Sequence, residues 1–269
     1  MRATPKGGFG NRVLTYLTIR HLARTARARY FFTDPDDRGV IRGIHRPQKG
    51  RPLFGREAVF RAADTARDGF LEEVISLVSS GTWVSFKGPL LGEVLARFAR
   101  IDSRELTALT ATQCSGHLSE AASKNVLALH LRAGDFRLWE PAAILPAEYY
   151  IAAVDSISGL SPDSWHARLC IDDRTHPALE EVVNHLSSRG FSLSEVECPN
   201  PFMCDLAAMA EAEVLVSSPS TFALVAGLLG APRVIHSKKW VENRVSREED
   251  FWRQIGQGVF PGYSLEALV

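Results

Sequence analysis

From about residue 122 onward, short apolar runs alternate with amphipathic stretches. Val126-Leu-Ala-Leu-His-Leu131, His166 to Ile171, Phe191 to Val196, Val214 to Val216 and Arg233 to His236 read as strands. Between them, Ala147 to Ile157, Pro177 to Ser188, Asp205 to Ala212 and Thr221 to Leu229 carry helical spacing. Strands and helices in alternation imply a parallel sheet with right-handed crossovers. Such sheets meet their ligands at the carboxyl ends of the strands, so chemistry is expected in the turns after Leu131, Ile171 and Val216.

The first 121 residues are less regular. Val13, Leu14, Leu17, Ile19, Leu22 and Ala23 fall near a 3.6-residue period and predict an amphipathic helix over residues 10–29, following a glycine-rich turn. Tyr30 to Thr33 reads as a short strand. Asp34 to Gly39 reads as a turn, with a Gly/Pro/Arg-rich loop on to about Pro52. Residues 57–121 read as mainly helical, broken by a strand from Thr82 to Phe86 and by Gly88-Pro89.

Composition sets outer limits. The 269 residues are 45% hydrophobic and 23% charged, which excludes a disordered chain. With 31 basic and 31 acidic side chains the net charge is zero, which excludes an overall polycationic nucleic-acid binder. That zero hides an asymmetry: residues 1–70 hold 15 Lys+Arg against 6 Asp+Glu, and the remainder 16 against 25. Twenty-five of the basic residues are Arg, whose planar fork suits phosphate and carboxylate. Cys114, Cys170, Cys198 and Cys204 form no C-x-x-C pair, and neither His166 nor His236 lies at a ligand spacing from a cysteine. The expectation is four reduced thiols, no zinc and no signal segment. The longest apolar stretch, Ala223 to Ala231, is well short of the ~20 residues of a membrane span. Together these features predict a cytoplasmic protein, with the Arg-rich surface near residues 20–51 as either a peripheral membrane contact or a solvated face.

Three turns carry candidate chemistry. In His130-Leu-Arg-Ala-Gly-Asp-Phe136 an Arg leaves the end of a strand, placed either to fork onto a phosphate or to form an Arg132–Asp135 ion pair. In Val216-Ser-Ser-Pro-Ser-Thr-Phe222 a strand runs through hydroxyl residues into a helix. That combination is an anion site, or an N-cap by Ser218 or Ser220. Lys6-Gly-Gly-Phe-Gly-Asn-Arg12 brings backbone close to a ligand or simply turns the chain. It is not a dinucleotide fingerprint, because Val13 stands where a third glycine is required, and the residues before it make a poor strand.

Taken in order, these turns resemble the GDP-fucose-dependent fucosyltransferase superfamily, which joins bacterial α-1,2-fucosyltransferases, α-1,6-fucosyltransferases and protein O-fucosyltransferases. Gly7-Gly-Phe-Gly-Asn-Arg12 is similar to the opening G-G-x-G-N-[QR]. His130-x-Arg132-x-Gly134-Asp135 is similar to H-x-R-R-x-D, with Ala133 in place of the second Arg. Tyr149-Tyr150, Asp172-Asp173, Asp205-Leu206 with Met209, Ser217 to Phe222, and Val234-Ile235 through Trp240 resemble later motifs of the α-1,2 branch.

The resemblance implies an α/β, GT-B-like fold with two Rossmann-like lobes facing a central cleft. Residues 1–121 would form the acceptor-side lobe and 122–269 the nucleotide-sugar lobe, with the last helix packing back on the first. Carried over by position, Arg132 meets the β-phosphate and Ser217, Ser218, Ser220, Thr221 and Phe222 cradle the pyrophosphate. Gly8, Gly10 and Asn11 form the glycine turn, and His130 and Asp173 hold the nucleoside end or its loop. The missing second Arg leaves one donor-binding charge fewer.

The implied activity is transfer of fucose from GDP-fucose to a glycan or lipid-linked hydroxyl by single inverting displacement, with no cofactor and no metal. That reaction needs a base for the acceptor hydroxyl and charge stabilisation of the departing GDP. Glu140 stands at the offset of the α-1,6 branch's glutamate; Asp135 and Asn11 are rival bases. Asp34-Pro-Asp36-Asp37 looks like a D-x-D metal site, but thirty-three residues cannot hold the nucleotide-binding domain that normally precedes one, and a β-turn explains it better. Two alternatives stand beside this reading: a glycosyltransferase using another nucleotide sugar, and a non-catalytic nucleotide-sugar-binding protein.

Overall fold

The computed structural model describes residues 2–4, 9–29, 31–32, 57–61, 64, 69–87, 124–139, 141–196, 201–230, 233–237 and 264–268. The chain divides into two compact units, the first taking the described residues up to 87 and the second those from 124. The expected lobe boundary near residue 122, Gly8, Glu140, Trp240 and the Asp34–Asp37 turn lie outside the described residues.

The first unit is built on β1 (Arg2–Thr4), α1 (Phe9–Thr25), β2 (Phe31–Phe32), β3 (Glu57–Arg61), α2 (Phe70–Ser79) and β4 (Trp83–Lys87). Its strands form an all-parallel sheet in the order β2-β1-β4-β3. Ile19, Leu22 and Ala23 of α1 share a core with Phe60, Phe70, Val74, Val84 and Phe86. The Phe60 ring meets Phe70 edge-on at 5.3 Å and stacks on Phe86 at 5.9 Å. Two sequence expectations are corrected here. Arg2–Thr4 is a strand, because its three residues need only supply backbone to β2 and β4 on either side. Glu57–Arg61 is a strand within the stretch expected to be helical. Its alternation is period-two, with Phe60 buried while Glu57, Val59 and Arg61 face out.

The second unit runs β5 (Asn125–Leu131), α3 (Phe136–Trp139), α4 (Ala147–Asp155), β6 (Trp165–Ile171), α5 (Leu179–Ser188), β7 (Ser192–Glu195), α6 (Pro201–Ala210), β8 (Val214–Ser217), α7 (Thr221–Leu229), β9 (Arg233–Ser237) and β10 (Ser264–Leu268). All six strands are parallel, in the order β10-β9-β8-β5-β6-β7. Leu127, Leu129 and Leu131 of β5 join Ala167, Leu169, Val214 and Val216 in one buried layer against α4 and α5. The alternate face carries His130, Cys170 and Leu215 and is covered by α6, with Phe222 of α7 against His130. Helices α2 and α5 both end on a left-handed glycine, Gly81 and Gly190 (φ 80° and 85°). In each case a 6→1 backbone bond, Thr82 N–H to Leu77 O and Phe191 N–H to Leu186 O, closes the helix and starts the next strand.

The α/β class with parallel sheets is therefore as expected from the alternation. Helix α6 starts at Pro201, four residues before the expected Asp205, because proline is suited to the first turn of a helix. The cysteine reading is corrected: Cys204 is disulfide-bonded, whereas Cys170 is a free, buried thiol. A bridge depends on the spacing the fold imposes, not on a C-x-x-C signature. Among the described residues, no helix is long and apolar enough to cross a membrane.

Candidate functional site

Chain order and strand order part company at β5. From β5 the chain moves to β6 and β7 on one side of the sheet, then returns to place β8 and β9 on the other. The carboxyl ends of β5 and β8 thus flank the topological switch point, where an open parallel sheet presents its crevice. The two turns that leave these strands are residues 132–135 and 218–220, both singled out in the sequence.

The structure brings them into contact. Arg132 N–H donates to Ser218 Oγ (3.0 Å), and Arg132 Nη1 donates to Ser220 Oγ (2.7 Å). Ser220 is also the N-cap of α7, accepting from Phe222 N–H at 3.1 Å. Its oxygen therefore accepts twice, leaving the hydroxyl proton as a donor at the start of the helix. The plain readings of these residues, ion pair and N-cap, are the ones the contacts show: Arg132 pairs with Asp135 through Nε (3.2 Å) and Nη2 (2.9 and 3.0 Å), and Ser220 caps α7. The guanidinium lies over the Phe136 ring at 4.5 Å and its side chain is only 17% exposed, so its orientation is held on several sides.

Asp172, the first residue beyond β6, fixes the same turn from the other neighbour. Its Oδ1 accepts from Ala133 N–H (2.9 Å) and Gly134 N–H (3.4 Å), and its Oδ2 lies 3.9 Å from Arg132 Nε. Burial raises its carboxyl above the ordinary range, against the pull of those two N–H groups and Arg132. Register could have found it: Leu131 pairs with Ile171, so Arg132 and Asp172 leave the sheet side by side. Asp173, the residue favoured from the resemblance, holds its own loop. It accepts from Thr175 N–H and Oγ1 (2.8 and 2.7 Å) and from Arg137 Nε (2.8 Å), and these contacts, Thr175 first, lower it to about 2.

His130 is 4% exposed, 5.9 Å from the Phe222 ring, and held to about 3 by burial and then by Arg132, so it is a neutral imidazole. Its carbonyl, facing the other way, accepts from Ser218 N–H (3.2 Å) and is bonded by Ser218 Oγ. Ala133, where the resemblance implies a second Arg, is fully buried, so this position points no side chain at solvent. In the sequence Asp205 stands out only as part of a motif. It lies in α6, and burial, then Asp172, raise its carboxyl from 3.8 to about 7.

Ser217, Ser218, Ser220, Thr221 and Phe222 therefore stand with His130, Arg132 and Asp135 around the β5 and β8 ends. Gly10 and Asn11 belong to the first unit, where Gly10 is buried in the first turn of α1 and the Asn11 carbonyl accepts from Thr15 Oγ1 (2.8 Å). Among the described residues, no group of three or more His, Cys, Asp or Glu is gathered as a metal site.

Two parallel α/β sheets, the second doubly wound, make a fold similar to that of the GT-B glycosyltransferases. Solved structures of that class match the chain. An Arabidopsis thaliana FUT1 mutant in complex with GDP is 11% identical with a TM-score of 0.51, over 87% of this chain and 69% of its own. E. coli heptosyltransferase WaaC with ADP is 10% identical with a TM-score of 0.51, over 100% and 94%. E. coli ADP-heptose lps heptosyltransferase II is 10% identical with a TM-score of 0.50, over 88% and 84%. No family model and no curated protein sequence matches the chain. The likeness is one of fold, shared with a fucosyltransferase and with heptosyltransferases alike, and it does not choose a donor sugar.

Proposed function

We propose that this chain is an inverting, metal-independent glycosyltransferase that moves fucose from GDP-fucose to a hydroxyl of a glycan or glycoconjugate. The observation that carries the reading is the 2.7 Å bond from Arg132 Nη1 to Ser220 Oγ, which puts a guanidinium at the start of α7. A departing nucleoside diphosphate gains negative charge in the transition state. A fixed guanidinium, the first N–H groups of a helix and a free hydroxyl proton are preorganised to receive it. The similar structures bear nucleoside diphosphates in two cases, GDP in one and ADP in the other.

In this reading Arg132, Ser218, Ser220, Thr221 and Phe222 hold the diphosphate, with Asp172 fixing the 132–134 turn beneath it. Asp135 gives both oxygens to Arg132 and competes with phosphate for the same N–H groups, which makes it a weaker choice of base than Glu140. Fucose comes from the motif resemblance. The match to WaaC over the whole chain favours a second reading, in which the donor carries another base and sugar.

Titration calorimetry with GDP, ADP, UDP and dTDP separates these readings, followed by a product assay for GDP release from GDP-fucose. GDP should bind best, and Arg132→Ala should cost about 2–4 kcal/mol in turnover, the loss of one preorganised donor. Preference for ADP would move the proposal to the second donor. No binding of any nucleoside diphosphate would end both.

A further inference from the structure

We propose that Tyr149 and Tyr150 of α4 are a positioning pair that sets the diphosphate turn without touching the donor. Their hydroxyls reach carbonyls of three strands, β5, β8 and β9. The Tyr149 hydroxyl lies 3.0 Å from Ser217 O and 3.1 Å from Ile235 O and shares its one proton between them, joining β8 to β9. Tyr150 OH bonds Ser218 Oγ (2.8 Å) and lies 3.4 Å from His130 O, joining β5 to the turn after β8. The rings meet edge-on at 5.0 Å, and Tyr150 is fully buried with His176 against it at 6.0 Å. Neighbouring helix residues point about 100° apart, so one turn of α4 can address two strand junctions at once.

The chemistry follows from where a parallel sheet stops. Ser217 O lies at the end of β8 and His130 O, which also accepts the Ser218 N–H, lies near the end of β5, and their negative ends lie beside the place proposed for an anion. Hydroxyl donors satisfy those carbonyls and reduce that opposing field. Tyr150 does more, because Ser218 Oγ also accepts the Arg132 N–H at 3.0 Å. One consistent assignment has Ser218 donating to His130 O while Tyr150 O–H and Arg132 N–H donate to Ser218 Oγ. Backbone at Arg132 is thereby tied to the turn that carries Ser220, and the guanidinium is delivered to the start of α7. Tyr150 thus acts through Arg132, and Tyr149 supports it by holding Ser217, the residue before Ser218, against β9.

This inference rests on the proposed binding of a nucleoside diphosphate at Arg132, and the test keeps the two apart. GDP affinity is measured for the parent, Tyr150→Phe, Tyr149→Phe, Arg132→Ala and the double variants, with hydrogen exchange of the Arg132 and Ser218 amides followed without nucleotide. Tyr150→Phe should weaken GDP about tenfold in the parent and less than about twofold beside Arg132→Ala, and should speed exchange of both amides. Equal losses in both backgrounds, or unchanged exchange, would reduce Tyr150 to ordinary core support and overturn the proposal. A parent chain that binds no nucleoside diphosphate sinks the functional reading instead; the exchange rates still decide whether the tyrosines hold the turn. Should Tyr150→Phe fail to fold, Tyr149→Phe carries the same comparison, since it leaves the buried ring of Tyr150 in place.

Discussion

Replacing Asp205 by Asn should stabilise the chain at pH 8 and do almost nothing at pH 4. The Asp205 carboxyl, raised from 3.8 to about 7 by burial and by Asp172, is protonated in both folded and open chain at low pH. Between those values only the folded chain keeps the proton, so stability falls as pH rises and the full cost stands above about pH 7. At roughly 1.4 kcal/mol per pH unit, that cost is about 4 kcal/mol. Asn keeps the shape and removes the charge. His130, His176 and His236, lowered to about 3, 4 and 4 chiefly by burial, act in the opposite sense and cost stability as pH falls below about 6.5. They are common to both proteins and cancel in the difference. Thermal melts of parent and Asp205→Asn at pH 4, 6 and 8 should show a gap that opens with pH, reaching on the order of 5–15 °C at pH 8. A variant that melts below its parent at pH 8, or that gains equally at pH 4, would refute the reasoning.

Two further substitutions probe the β8–α7 side. Ser220→Ala removes the acceptor for both Phe222 N–H and Arg132 Nη1, so urea titration should show a loss of about 1 kcal/mol, the usual worth of a cap. GDP affinity measured alongside should fall as well; unchanged affinity would mean that Arg132 is oriented by Asp135 and Phe136 alone. At Gly230 an added Cβ would stand 2.6 Å from the backbone oxygen of Ala210, so Gly230→Ala must push α7 away from α6. The denaturation midpoint should report a loss of roughly 1–3 kcal/mol, and an unmoved midpoint would contradict that close approach.

The sequence was most legible where one local signal sufficed. The apolar run of β5 and the span of α7, bounded by the Ser220 cap and Gly230, needed no distant partner to be seen. It was least legible where pairing decided the outcome. Ser264-Leu-Glu-Ala-Leu268 has the composition of a helix and becomes β10 because β9 offers its edge, and Arg2–Thr4 is a strand for a similar reason. The site divides in the same way. Arg132 and Ser220 could each be picked out, but their bond spans 88 positions and is a product of the β5–β8 pairing. Seeing that Asp172 rather than Asp173 meets the 133–134 amides required the register of β5 on β6, since the two carboxylates are identical in type and adjacent in sequence.

The pairing of β5 with strands on both flanks also bears on how the chain acquires its shape. Its β6 side can zip once residue 171 exists, whereas its β8 side must wait for residues 214–216. During synthesis β5 therefore spends an interval with one edge exposed, an arrangement that invites pairing with other chains. The non-local contacts that end this interval are the slow ones. Chains interrupted before residue 214 should accordingly aggregate, while those carried through β9 should become soluble. For the same reason Arg132 acquires its contacts to Ser218 and Ser220 late, as the strand edge is being covered.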